Sequence, residues 1–222
     1  MFKGPLSESI IKRAVSKGVV KIKYYNLRDY AEDKHQTVDD TPCGGGAGMV
    51  LKIDVVDRAI EAIAGENRDN YHKILLTPQG KTFDQASAKK LSQKEKIILI
   101  CGHYEGFDER IREYLIDEEI SIGNFVLSGG EIPAMAIVDA IVRLIPGAIG
   151  HIESTEEESF NLMDENGNLL LEYPIYTRPV EYKSWKVPEE LLSGDHVKIK
   201  RWRLGKALER TKTKRPELLK KK

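Results

Sequence analysis

The chain of 222 residues is poor in several features, and each absence removes a class of protein. It has two cysteines, Cys43 and Cys101, far apart and without C-x-x-C spacing. That argues against a disulfide-stapled scaffold and a cysteine-rich zinc site, and makes a reduced, cytoplasmic protein the default. No metal ligand set is expected. No apolar run approaches the ~20 residues of a membrane-spanning helix, so no membrane partner is expected. The opening MFKGPLSESIIKRA lacks the apolar stretch of a secretory signal. There is no internal repeat. Net charge is absent too: 35 Lys+Arg balance 35 Asp+Glu. A uniformly basic nucleic-acid binder and an acidic disordered tail are thereby excluded.

The zero conceals a gradient. Residues 1–149 carry 20 basic and 22 acidic side chains. Residues 150–174 carry seven acids and no Lys or Arg, a net of −7. Residues 175–222 carry 15 basic and six acidic side chains, a net of +9. Three domains of different character follow: 1–149, an acidic interdomain linker at 150–172, and a basic unit at 173–222.

In the first part, helix and strand patterns alternate. Ser7–Lys17 reads as a helix capped by Ser7, with Ile10, Ile11 and Val15 on its apolar stripe and Gly18 ending it. Val19–Asn26 alternates like a strand. Val50–Ile63 reads as an amphipathic helix with Leu51, Val55, Ala59 and Ala62 on one face. Lys73–Thr77 and Lys96–Cys101 are short apolar runs of strand type, each followed by Pro or Gly and then by a helical stretch. Glu131–Ile145 is apolar nearly all round and reads as a helix buried on most sides, with Arg143 inside it. Short apolar strands separated by helices predict an α/β domain with a largely parallel, buried sheet. Gly150–Glu172 breaks the pattern, with a turn at Glu165–Asn168. It reads as a linker that orders on assembly or binding. Beyond it, Leu192–Thr211 has helical spacing, with Ile199, Trp202 and Leu204 among many cations, in a small helical unit.

Four segments could carry chemistry. Gly44-Gly45-Gly46-Ala47-Gly48 lacks the Gly-Lys-Ser/Thr ending of a phosphate-binding loop, and it follows a polar stretch rather than a hydrophobic strand. A flexible surface loop and a functional loop that lets another backbone or a nucleotide approach closely are both compatible with it. Cys101-Gly-His-Tyr-Glu-Gly106 follows a strand, where α/β folds bind ligands, though a structural turn fits equally. Ser121–Glu131, polar and glycine-punctuated, runs directly into the apolar helix. A buried Arg143 there would need an anionic partner, in a structural ion pair or a site. Glu156-Glu157-Glu158 alone is an ordinary solvated charge run. The basic end interleaves Trp185, Trp202, Tyr173, Tyr176 and Tyr182 with its cations, a combination suited to RNA phosphates and bases or to a basic helix around a tryptophan core.

Taken together, Leu27–Tyr30, Asp33–His35, Thr37–Asp40, Gly44–Met49, Pro78–Gly80, CGHYEGFDER (101–110), EISIGNFVLSGGE (119–131), RLIPG (143–147), YPIYTRP (173–179), VPEELLSGDH (187–196), WR (202–203), RT (210–211) and RPELL (215–219) cover the chain in order. The whole resembles the bacterial tRNA (guanine-N1)-methyltransferases of the knotted SPOUT superfamily. The resemblance implies a trefoil-knotted α/β domain and a small helical C-terminal domain that binds tRNA. It also implies a homodimer with its active site at the interface and S-adenosyl-L-methionine as methyl donor. The target is N1 of the guanosine 3′-adjacent to the anticodon, tRNA position 37. Mg²⁺ assistance is compatible with the family.

Carried over, the cofactor loops are Leu75, Leu76, Thr77, Pro78 and Gly80; Gly102, Tyr104, Glu105 and Gly106; and Ile122, Gly123, Asn124, Phe125, Val126, Leu127, Gly129 and Gly130. N1 of guanine bears a proton that a base must remove before the ring nitrogen can attack, and negative charge then develops toward O6. The resemblance implies Glu158 as that base and Arg143 as the cation at O6. It implies tRNA contacts at Asp39, Gly48, Glu172, Ser193, Gly194, His196, Trp202, Arg203 and Arg210, with Glu172 accepting from the guanine edge.

The chain departs from the family in places. The base is usually Asp, so Glu158 reaches one methylene further, and a misplacement of about 1 Å can cost about 100-fold in rate. Cys43 stands where Tyr is usual, and Asp195 stands where Asn is usual. The linker is longer around Met163–Leu169. Family members open with a strand ending in Phe-Pro-Glu-Met-Phe, of which Met1-Phe2 matches only the end. The first strand is therefore expected to be missing and the chain less stable than a longer form. Two other functions fit the residues less well: a knotted RNA methyltransferase with a different target base, and a non-catalytic RNA-binding module.

Overall fold

A computed structural model describes residues 1–150 and 157–219. The chain divides into two compact units, Met1–Gly150 and His151–Lys222. The glutamate run therefore belongs to the second unit. Of it, Glu156 lies outside the described residues, and Glu157 and Glu158 lie within them.

The first unit is built on a parallel sheet of three strands: β3 (His72–Thr82), β4 (Ile97–Cys101) and β5 (Glu118–Ser121). Their spatial order is β4-β3-β5, with both pairings parallel. Successive side chains of a strand point to opposite faces, so the run Ile74-Leu75-Leu76 serves two cores. Leu75 packs with Ile100, with Val55, Val56 and Ile60 of α2 (Ile53–Ala64), and with Ile111 of α4 (Glu109–Tyr114). Ile74 and Leu76 pack with Ile120, with Leu91 of α3 (Gln85–Ser92), and with Ala134, Ile137 and Ile141 of α5 (Glu131–Val142). Both faces are covered, which is why these strands read as continuous apolar runs.

Several boundaries differ from the periodicity. α1 (Ser9–Ser16) begins after Ser7, which closes a short 3₁₀ turn over Pro5–Ser7. Its buried side chains are Ile11 and Ala14, while Val15 faces solvent. Gly18 closes the helix at φ +71°, with its N–H donating to the Val15 carbonyl and that of Val19 to the Ala14 carbonyl. That left-handed closure favours glycine. Val19–Asn26 is not a strand: among the described residues no strand pairs with it, and Val19, Val20 and Ile22 pack instead on the cluster of Leu6, Ile11, Ala14, Val142 and Ala148. The predicted helix Val50–Ile63 begins later. Val50–Leu51 forms β2, paired antiparallel with β1 (Asp39–Asp40), and the buried face of α2 is Val55, Val56, Ala59, Ile60 and Ala64, with Ala62 exposed.

The second unit mixes strand and helix. An antiparallel pair, β6 (Glu181–Tyr182) and β7 (Trp185–Lys186), precedes α6 (Glu189–Leu192) and the long α7 (His196–Lys214). Asp195 starts α7, its carboxylate accepting from the N–H groups of Val197 and Lys198. Negative charge at that end is favourable. The expected turn is formed: the Asp164 side chain accepts from the N–H groups of Asn166 and Asn168, and Gly167 is left-handed at φ +77°. Close to it, Leu170 is fully buried.

Candidate functional site

The order β4-β3-β5 places a switch at the carboxyl ends of the strands, since the chain leaves β3 to one side and returns on the other. Open α/β sheets bind ligands in the crevice at such a point. All three predicted cofactor loops gather there. Residues 77–80 interrupt the β3–β5 ladder: Leu76 and Lys81 both stand opposite Ile120, so the segment between them bulges out of register. Residues 102–106 follow β4, and residues 122–130 follow β5.

Glycines set the spacing. A Cβ on Gly80 would lie 2.5 Å from the Glu119 carbonyl carbon and the Ile120 nitrogen, and one on Gly102 would lie 2.6 Å from the Phe107 ring. A Cβ on Gly130 would lie 2.7 Å from Cys101 Cα, and the Gly130 N–H donates to the Gly102 carbonyl at 2.8 Å. A second bridge joins His103 to Gly129. The loops after β4 and β5 are thus one object, held by backbone contact.

The glycine-rich loop joins the same assembly. Gly44, Gly45, Gly46 and Gly48 all have positive φ, and a Cβ on Gly48 would collide with the Glu105 side chain. The Glu105 N–H donates to the Met49 carbonyl at 3.0 Å, and the Leu51 N–H to the Gly106 carbonyl at 2.9 Å. Asp39, opposite Leu51 in the β1–β2 pair, lies beside this junction. The loop is exposed, with open space around Gly44 and Gly45, and residues 102–106 approach it closely only at Gly48 and Met49.

The surface of the cradle is apolar and carries one sign of charge. Tyr104, Phe125, Val126 and Leu127 are exposed. Residues 75–80, 102–106 and 122–130 contain no Lys or Arg, and Glu105 is their one charged side chain. Burial, followed by the Glu131 carboxylate, pushes the Cys101 thiol up to about 12, so this cysteine is a neutral packing group. Arg143 is at the C-terminal cap of α5 and half-buried, not inside the helix as its periodicity predicts. Pro146-Gly147 end the helical run just beyond it, and a cation is favourable at that end. Ile132 is also 51% exposed, so α5 is less buried than its composition predicts.

The second unit brings Glu158 and Glu172 into paired segments. Phe160 N–H donates to the Leu170 carbonyl, Leu170 N–H to the Leu162 carbonyl, and Glu172 N–H to Ser159 Oγ at 3.0 Å. Helix α7 fastens them: Thr211 Oγ1 accepts from Leu171 N–H, and Arg210 donates to the Glu172 carbonyl at 2.9 Å. Glu157 has partners that its position in an acidic run concealed. It accepts from the Tyr173 hydroxyl and lies 3.4 Å from Arg203, whose guanidinium stacks over the Tyr173 ring at 4.7 Å. Burial, then the bond to Glu157, pushes the Tyr173 hydroxyl up to about 12. Trp202 meets Tyr176 at 6.3 Å. Ser193 Oγ accepts from the Asp195 N–H, Gly194 is left-handed at φ +70°, and His196 opens α7 at the surface. Trp185 is 67% exposed, so it is not the core of a basic helix.

Among the described residues, no group of three or more His, Cys, Asp or Glu side chains could hold a metal ion, and no helix is long and apolar enough to cross a membrane.

Glycine-lined loops at the switch point of a parallel sheet, followed by a second unit that is cation-rich from residue 175 on, define an α/β protein with a candidate ligand cradle and a basic C-terminal part. The family model described as tRNA (Guanine-1)-methyltransferase TrmD matches residues 1–221. Relatives named tRNA (guanine-N(1)-)-methyltransferase are similar over the whole chain. That of Dehalococcoides mccartyi is 50% identical over 221 residues, 100% of this chain and 87% of the relative. That of Brevibacillus brevis is 52% identical over 221 residues, 100% of this chain and 88% of its own. That of Carboxydothermus hydrogenoformans is 52% identical over 220 residues, 99% and 83% of the two chains. The chain belongs to the tRNA (guanine-1)-methyltransferase family.

Proposed function

We propose that this chain is an S-adenosyl-L-methionine-dependent enzyme that methylates N1 of the guanosine at tRNA position 37. The observation that carries the reading is the cradle at the switch point. Its loops offer backbone polar groups and apolar side chains, with Glu105 as their one charge. A basic phosphate-binding groove would look different. A nucleoside bearing a sulfonium cation suits this donor set, and when bound it supplies an electrophilic methyl group. Leu75–Gly80, Gly102–Gly106 and Ile122–Gly130 would hold it, within the trefoil-knotted SPOUT arrangement of the family.

Glu158 then removes the proton from guanine N1, and Arg143 faces the charge that develops on O6. Glu172 accepts from the guanine amino edge. Ser193, Gly194, His196, Trp202, Arg203 and Arg210, on and beside α7, together with Asp39 and Gly48 of the first unit, contact the tRNA. The exposed run Phe125-Val126-Leu127 and the exposed Ile132 support a homodimer, because contiguous apolar surface beside a ligand loop marks an interface. The working form is thus a cytoplasmic homodimer with its active site at the interface. The acidic segment 150–172 carries the base, and the basic part 173–222 grips the nucleic acid. Mg²⁺ is assigned no residues.

Transfer of labelled methyl to a tRNA transcript tests this. Label at purine N1, lost in Glu158→Gln and Arg143→Ala with S-adenosylmethionine affinity retained, is the expected result. Salt-dependent tRNA binding without any label would defeat the enzyme reading and leave an RNA-binding module.

A further inference from the structure

We propose that Arg112 is a positioning residue for the loop Thr77–Gly80, an inference that rests on the reading of that loop as part of the cofactor cradle. Arg112 lies on α4, and its side chain is only 9% exposed. A guanidinium so buried requires matched charge. It is paired through Nη1 with the Glu119 carboxylate of β5, and its Nε lies 3.2 Å from the exposed Glu109 carboxylate without a hydrogen bond to it. The remaining Nη2 donates to Thr77 Oγ1 at 3.4 Å.

That last contact falls where the sheet gives no support. Leu76 and Lys81 both stand opposite Ile120, so residues 77–80 have no place in the ladder. The far end of the bulge is held by Gly80, whose Cα packs on the backbone of Glu119 and Ile120. The near end is Thr77, and its hydroxyl also accepts from the Gln79 N–H at 3.4 Å. Arg112 therefore ties the near end to Glu119, the same residue against which the far end rests. A planar fork presents donors on separate nitrogens to two acceptors in fixed directions, a spacing that the single nitrogen of an ammonium does not reproduce. Arg112 acts through Thr77, so its effect falls on cofactor affinity and leaves the proton transfer untouched.

The test measures S-adenosylmethionine binding by calorimetry and initial rates of methyl transfer with the full chain. Arg112→Lys keeps a cation beside Glu119 and loses the fork. It should weaken cofactor binding on the order of tenfold, raise the cofactor KM in parallel, and leave kcat at saturating cofactor nearly unchanged. Thr77→Val should act similarly, and the double variant should be no weaker than the worse single one. The pair Arg112→Met with Glu119→Leu removes both charges. It should recover melting temperature but not cofactor affinity. Unchanged affinity in Arg112→Lys, fully additive effects with Thr77→Val, or affinity that returns together with melting temperature would each overturn the assignment. An unmodified chain that binds no S-adenosylmethionine would instead overturn the cradle reading on which it rests.

Discussion

Substitution of Gly130 by Ala is the sharpest probe of the cradle. The added Cβ would stand 2.7 Å from Cys101 Cα and 2.8 Å from Gly102 N, both backbone atoms that no rotamer change can move aside. Ordinary contact begins near 3.4 Å, so the loop after β5 must separate from the end of β4 by about 0.7 Å. The Gly130 N–H to Gly102 carbonyl bond, now 2.8 Å, would stretch to about the limit of a hydrogen bond. Overpacking of this kind costs about 1–3 kcal/mol, which for a chain of this size lowers the melting temperature by roughly 2–12 °C. A displacement approaching 1 Å at a site that positions reactants costs on the order of ten- to 100-fold in rate. Calorimetric titration with S-adenosylmethionine, initial rates on tRNA and a thermal melt measure the three quantities. Gly205→Ala on α7 is the control, because a Cβ there meets open space; it should leave cofactor affinity unchanged. Wild-type affinity and melting temperature in Gly130→Ala would refute the close packing of the two loops.

Two further outcomes follow from titratable groups in the first unit. Burial raises the Asp117 carboxyl, but the Lys73 backbone N–H and ammonium outweigh it and hold the group below the usual aspartate range. Its stabilising contribution is therefore complete above the ordinary aspartate value of about 3.9, and it is lost as pH falls through the lower folded value. Lys73, 7% exposed, is then left without its carboxylate. Melting curves between about pH 2 and pH 6 should show Asp117→Asn less stable at the upper end and converging with the parent at the lower; parallel curves would contradict the pairing. Thiol titration at mildly alkaline pH should detect the exposed Cys43 quickly and Cys101 only after denaturation, because burial holds the Cys101 thiol protonated. Rapid reaction of both would contradict it.

The strands β3 and β4 were legible because both of their faces are buried, which leaves a continuous apolar run in the sequence. Val19–Asn26 alternates as a half-buried strand would and is no strand, since alternation reports which side chains meet a core and not whether a neighbouring strand exists. The loop motifs were legible as glycine-punctuated segments after strands. Their mutual contact was not, because the approaches of Gly80 to Glu119 and of Gly130 to Cys101 join residues about 30–40 positions apart that share no local pattern. Arg112 and Glu157 escaped for a related reason. Each sits in a charged run that periodicity assigns to solvent, and only the fold turns one into a buried clamp and the other into the partner of Tyr173 and Arg203.

The charge gradient acquires a finer meaning once these contacts are known. Between residues 175 and 222 the net charge is +9, yet several of its cations are engaged within their own unit. Arg203 faces Glu157, Lys206 pairs with Glu209, Lys186 with Glu181, and Arg215 with Glu217. Arg210 is spent on the Glu172 carbonyl. A phosphate that recruits Arg203 must first displace a carboxylate, so the exchange returns less than a free cation would. The number of counterions released on tRNA binding, read from the slope of log affinity against log salt, is then set by the cations outside these pairs. Glu157→Gln separates the two cases. It removes the competitor without adding a cation, and should strengthen tRNA binding and steepen the salt slope. An unchanged slope would mean that Arg203 serves Tyr173 and not the nucleic acid.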